Sequence, residues 1–130
     1  LYKILFSYIY MKIINIESLD QFKDILENNN DLIINVSALW CKPCQNIKND
    51  LEIFANNYNS NSLFLKLDYD IYENDDEFIE YFTIKKVPTF IIFENKKNTN
   101  QIISSDLNII KEFISNNVYE NNTFNIDENF

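Results

Sequence analysis

Apolar residues fall along this chain in short blocks and helical stripes, and their order predicts the fold. Residues 12–16 make a β-branched block that predicts a first strand. Ser18 is placed to cap the helix that follows, with Gln21 at capping-box spacing; Leu19, Phe22, Ile25 and Leu26 share one face of it. Residues 31–38 are almost continuously apolar, the pattern of a strand covered on both faces. Over residues 42–58, Ile47, Leu51, Phe54 and Ala55 mark a second helix, and residues 62–69 predict a third strand. A helix is expected over residues 75–82 with Phe78, Ile79 and Phe82 on its buried side. Pro88 opens a fourth strand over residues 89–93, where a missing N–H is tolerated. Residues 95–100 read as a polar turn and residues 101–105 as a fifth strand. Asp106 then caps a last helix with Leu107, Ile110, Phe113 and Ile114 inward.

The resulting order, β-α-β-α-β-α-β-β-α, implies parallel crossovers early and an antiparallel hairpin late, hence one α/β domain on a mixed sheet. Met11 followed by KIINIE reads as a natural start, which leaves residues 1–11 as an N-terminal appendage, 12–117 as the domain and 118–130 as a loose C-terminal tail. The appendage is apolar but too short and too interrupted to cross a bilayer, so no membrane partner is expected.

Composition narrows the chemistry. Among 130 residues there is no Gly, so no glycine-rich loop can bring backbone close to phosphate, and no His, so Cys-His, Ser-His-Asp and His-ligated metal sites are all excluded. A net charge of −9 leaves no basis for phosphate neutralisation, and no nucleic-acid partner is expected. Glu73, Asp75, Asp76 and Glu77 concentrate some of that charge and read as a solvated loop or helix start. Asn runs such as residues 28–30 read as neutral filler.

Both cysteines lie in Trp40-Cys41-Lys42-Pro43-Cys44, where the buried second strand meets the second helix. C-x-x-C alone is a weak signal, because half of a zinc site has the same spacing. Zinc would need two copies of this chain sharing an ion, and a structural disulfide across so short a loop would constrain little of the unfolded chain. Redox chemistry is the remaining reading. Cys41 falls at or just before the first helical turn, where free N–H groups and the positive end of the dipole favour a thiolate. Such settings lower a cysteine pKa from ~8.5 to between ~3.5 and ~7.5. The Cys41 thiolate attacks a substrate disulfide, and Cys44, one turn on, attacks back and releases the reduced substrate. Pro43 suits the first turn, which needs no N–H there.

With these residues in view the chain resembles the thioredoxins over about residues 12–117. Trp40-Cys41-x-Pro43-Cys44 is similar to the family's W-C-x-P-C site, Val87-Pro88-Thr89 to its cis-proline loop, and Lys66 to its strand lysine near the buried active-site carboxylate. The resemblance implies the thioredoxin fold, an α/β architecture with a central mixed five-stranded sheet flanked by about four helices. It implies a protein-disulfide reductase with no bound cofactor, fed with electrons by an NADPH-dependent thioredoxin reductase. It also implies client proteins with disulfides, peroxidases among them. A monomer is expected. Val87, Pro88, Thr89 and Ser104 are expected to line the substrate groove, with Pro88 cis, a form that costs an X–Pro bond only ~0.5–1 kcal/mol. Trp40 is expected to shield and shape the substrate face.

The sequence also departs from that pattern. Asn35 stands six residues before Cys41, where thioredoxins hold a buried Asp. An amide cannot accept a proton, so slower deprotonation of Cys44 is expected, against the plainer alternative that Asn35 satisfies a buried hydrogen bond. Lys42 replaces the usual glycine; its charge should stabilise the Cys41 thiolate and lift the potential modestly above the ~−270 mV of thioredoxin. Ser104 or Ser105 replaces the groove glycine, Ser37 a second tryptophan, and an insertion is expected near residues 71–77. These changes suggest a clientele of its own. The alternative function is an adaptor on the same fold with slow or idle cysteines. A glutaredoxin is disfavoured by the missing Gly-Gly, and an isomerase by the missing His between the cysteines. Two cysteines, both in the pair, fit a reducing cytosol, so a cytoplasmic location is expected, with an organelle the alternative on account of residues 1–11.

Overall fold

The computed structural model of the chain describes residues 13–118. Its elements are β1 (Ile13–Ile16), α1 (Leu19–Asn28), β2 (Leu32–Ser37), α2 (Lys42–Asn57), β3 (Leu63–Asp68), α3 (Tyr69–Glu73), a 3₁₀ turn (Asp76–Glu80), β4 (Thr89–Glu94), β5 (Lys97–Ile103) and α4 (Leu107–Asn117). The strands form one sheet in the order β1-β3-β2-β4-β5. β3 runs parallel to both β1 and β2, β4 antiparallel to β2, and β5 antiparallel to β4.

All six residues of β2 are buried, because helices cover both faces of the central strand. Alternation sends Leu32, Ile34 and Val36 to the side packed by Phe22, Leu26, Phe78 and Phe82. Ile33 goes to the other side, against Ile47, Leu51 and Ala55 of α2 and Ile110 and Ile114 of α4. The first side is dense in rings: Phe22 meets Phe78, Tyr81, Phe82 and Phe93 at centroid distances of 5.3–5.9 Å. Tilted and edge-on contacts of that kind add to what burial alone supplies.

The local signals for helix starts hold. Ser18 Oγ accepts the Gln21 N–H, and Asp106 Oδ1 accepts the N–H groups of Asn108 and Ile109. Gln21 does not close the expected reciprocal box on Ser18; its Oε1 takes the N–H of Glu17, one residue earlier.

Several expectations need correction. The helix expected over residues 75–82 is only the 3₁₀ turn Asp76–Glu80, capped by Asp75 Oδ1, and a separate short helix, α3, capped by Asp68 Oδ1, precedes it where no helix was expected. The 3₁₀ geometry turns Ile79 outward, 59% exposed, while Phe78 and Phe82 remain buried. The segment expected as an insertion near residues 71–77 includes the end of α3, whose Tyr72 is buried and accepts the Ile84 N–H on its hydroxyl. The polar turn is much shorter than residues 95–100. Asn95 and Lys96, at φ 50° and 67°, turn the chain by themselves, so β5 starts at Lys97 and stops before Ser104. Val118, assigned to the tail, is buried and its carbonyl accepts the Tyr58 hydroxyl. The remaining tail and the residue 1–11 appendage lie outside the described residues.

Candidate active site

At the C-terminal end of the central strand β2, residues 38–40 lead into α2. Cys41 is the N-cap of α2, Lys42 and Pro43 open its first turn, and Cys44 completes it. The proline is tolerated there because an early helical residue has no intrahelical acceptor for an N–H. Cys41 Sγ accepts the Cys44 N–H at 3.2 Å, so sulfur does the work that a Ser or Asp oxygen does at other N-caps. The same geometry places it against the positive end of a sixteen-residue helix. Cys41 and Cys44 form a disulfide with Cα atoms 5.3 Å apart. Gln45 braces the loop, its Nε2 donating to the Ala38 carbonyl at 2.8 Å.

The Val87–Pro88 peptide bond is cis, and it brings the proline loop against the cysteines. The Val87 carbonyl lies 3.8 Å from Cys41 Sγ, and Val87 packs on the cluster of Ala38, Cys41 and Cys44. Thr89 is fully buried and its hydroxyl donates to the Lys86 carbonyl, pinning the loop from below. Ser104 N donates to the Pro88 carbonyl at 3.3 Å, which sets the loop after β5 beside the proline. Cys41, Cys44, Val87, Pro88, Thr89 and Ser104 are thus brought together.

Trp40 meets the start of α3 and is 64% exposed, which excludes a core role. Its Nε1–H donates to Asp70 Oδ1 at 3.2 Å and its ring stands edge-on to Tyr69 at 6.2 Å. Leu39 beside it is 80% exposed. Sequence reasoning missed Leu39, Tyr69, Asp70, Gln45, Lys85 and Lys86. The Trp40–Asp70 bond spans thirty positions and has no local signal. Lys85 and Lys86 were legible as the residues leading into the proline loop.

Asn35 is 7% exposed and pairs across the sheet with Lys66 on one side and Phe90 on the other. Alternation places it on the same face as Ile33, the one α2 covers. Its Oδ1 is buried without a hydrogen-bond partner among the described residues, so the expectation that Asn35 satisfies a buried hydrogen bond is not met at that atom. Lys66 is half-buried. Burial holds its ammonium below the ordinary value of 10.5 and Lys48 adds repulsion, while Glu52 and Asp68 act the other way. A cleft of about 280 Å³ lined by Ser37, Leu39, Gln45, Lys66 and Asp68 opens beside the Trp40 loop. No group of three or more His, Cys, Asp or Glu able to hold a metal occurs among the described residues.

A vicinal cysteine pair at a helix N-terminus, facing a cis-proline loop on a mixed sheet, defines a dithiol–disulfide exchange protein. A thioredoxin family model matches residues 13–116, and the chain belongs to the thioredoxin family. Thioredoxin H2 of Arabidopsis thaliana is 32% identical over 94 residues, which cover 72% of this chain and 68% of the plant protein. Peptide-N(4)-(N-acetyl-beta-glucosaminyl)asparagine amidase of Caenorhabditis elegans is 30% identical over 107 residues, 80% of this chain but only 17% of the amidase. The crystal structure of thioredoxin from Trypanosoma brucei brucei superposes with a TM-score of 0.68 at 24% identity, covering 82% of this chain and 91% of that one. The fold is the thioredoxin fold, and the domain is a thiol–disulfide oxidoreductase whose redox group is the Cys41–Cys44 pair.

Proposed function

We propose that the domain acts mainly as a reductant of protein disulfides, with Cys41 as the attacking sulfur and Cys44 as the resolving one. The observation that carries this assignment is the position of Cys41 Sγ. It caps α2, accepts the Cys44 N–H, and lies by the Val87 carbonyl at the rim of the proline loop. Both sulfurs are buried, and Cys41, at 6% exposed, keeps slightly more surface than Cys44 at 3%. Once the disulfide is reduced, the N–H groups at the head of α2 favour negative charge on the Cys41 sulfur, the form that attacks.

The reaction balances without a metal or bound cofactor. Cys41 thiolate attacks one sulfur of the client disulfide, and the client's second sulfur leaves as a thiolate and takes up a proton. Cys44 loses its proton and attacks Cys41 Sγ, which releases the client's first sulfur. Two electrons have then passed to the client, and the domain is left as the Cys41–Cys44 disulfide. A reductase must return those electrons; in this reading it is an NADPH-dependent thioredoxin reductase. The domain serves as a monomer in a reducing compartment, the cytoplasm by preference, and peroxidases are one suitable client class.

Insulin reduction at pH 7 with dithiothreitol as electron source tests the assignment. The wild-type domain should accelerate it, Cys41→Ser should abolish the acceleration, and Cys44→Ser should accumulate as a mixed disulfide visible by mass. Wild-type domain no faster than dithiothreitol alone would favour the adaptor function instead.

A further inference from the structure

The lysines around the disulfide are distributed in a way that the redox reading does not use. Lys42 directly follows Cys41, and Lys85 and Lys86 directly precede Val87, whose carbonyl lies 3.8 Å from Cys41 Sγ. All three are exposed. The chain has 11 basic residues against 20 acidic ones, so three cations bordering one small groove run against its overall charge. None of the three enters an ion pair among the described residues, whereas Lys23 pairs with Glu77 on another surface.

Carboxylates beside Trp40 and at the head of α4 are held by hydrogen bonds. Asp70 Oδ1 accepts the Trp40 indole N–H, and Asp68 Oδ1 accepts the Asp70 N–H. Asp106 Oδ1 caps α4 through Asn108 and Ile109. These acids are fixed in place by hydrogen bonds on the Trp40 flank and at the head of α4. The Val87 flank presents lysine.

From this arrangement we infer that the groove selects clients carrying acidic side chains beside the disulfide, on the flank that meets Lys85 and Lys86, with Lys42 assisting. The inference rests on the redox reading and names the substrate class of that same site. A net charge of −9 would repel an acidic client at long range. At physiological ionic strength, however, charges more than about 8 Å apart are largely screened, and the nearest charges decide. Local cations are therefore how an acidic protein can admit an acidic partner. Exposed pairs are individually weak, so the expected effect is a preference of modest size, not an absolute gate.

The test uses three disulfide-bonded peptides of one backbone sequence, flanked by Glu, by Gln or by Lys, each reduced by the wild-type domain. At about 0.15 M salt the Glu peptide should show kcat/KM about fivefold above the Lys peptide, with the Gln peptide between them. Near 1 M salt, where screening reaches about 3 Å, the three should converge. The double variant Lys85→Glu/Lys86→Glu should invert the order, and Lys85→Gln/Lys86→Gln should flatten it. Equal rates at 0.15 M, or a faster Lys peptide, overturn the inference while leaving the redox reading intact. If no peptide is reduced in a Cys41-dependent way, the redox reading fails and the inference goes with it.

Discussion

At the scale of single residues the site turns on sulfur, amide and ammonium groups placed by the backbone. Cys41 has its acceptor role because it is an N-cap, and the buried Asn35 leaves an oxygen without a donor among the described residues, on the face beneath α2. A carboxylate there would be desolvated and would titrate above the ordinary range for Asp, which is what a proton carrier working near neutral pH needs. Asn35→Asp should therefore speed release of the client from the mixed disulfide, with a rate that rises between pH 6 and pH 9 as the new carboxylate ionises. Single-turnover release from a preformed mixed disulfide is the measurement. A variant that matches the wild type throughout that range shows that proton removal from Cys44 does not pass through position 35. The same substitution should lower thermal stability, since the new charge is desolvated and the half-buried Lys66 across the sheet offsets only part of that cost.

Among the elements, the β4–β5 hairpin combines two demands on one residue. In a chain without glycine, Asn95 and Lys96 both take positive φ, a region costly for residues with a Cβ and least so for Asn. Lys96 also reaches back to α1, where its Nζ donates to the carbonyls of Leu26 and Glu27 and so answers the unpaired end of that helix. Asn95→Gly should raise stability by up to about 1 kcal/mol, by removing a Cβ from a positive-φ position. Lys96→Gly should gain nothing net, because a similar relief is offset by loss of a cation worth about 0.3–1 kcal/mol at a helix C-terminus. Urea midpoints of the two variants check the pair; a clear gain in Lys96→Gly shows that the ammonium contributes little to α1. This hairpin also marks where the sequence was hard to read. Neither Asn95-Lys96 nor the polar residues of β5 carry a strand or turn signal strong enough to place a two-residue turn, since β5 is an exposed edge strand and its pattern comes from pairing with β4. β2 and the two capped helices were legible because their apolar periods and cap residues are local. Of the site, Cys41, Cys44, Pro43 and the Val87-Pro88-Thr89 run could be found from adjacent residues. The Trp40–Asp70 bond, the dangling oxygen of Asn35 and the lysine border exist only once β2, α3 and the proline loop are assembled.

For the whole molecule, stability against pH is where one residue of the site becomes visible globally. Lys66 is held below its ordinary pKa of 10.5, chiefly by burial and then by Lys48, so folding disfavours its charged form. The sign follows from proton counting. Between the lowered folded value and the ordinary unfolded one, the unfolded chain binds more protons than the folded chain, so stability rises with pH across that interval. Above about pH 10.5 both states are neutral at this residue and the cost is gone; below the folded value the cost is paid in full, including at pH 7. Lys66→Met keeps the apolar stem, with which a lysine covers neighbouring surface, and removes the charge. The variant should melt above the wild type at pH 7, and the gap should narrow steadily as pH approaches 10.5. Because Lys66 is only half-buried and water screens it, the gap should be small, and comparing the two proteins at each pH cancels the tyrosines and other lysines that titrate in the same range. Melting curves that stay parallel from pH 7 to pH 10.5 would place the Lys66 ammonium in solvent. The cleft beside the Trp40 loop would then hydrate it fully, and a lysine next to Asn35 would bring no electrostatic cost to the fold.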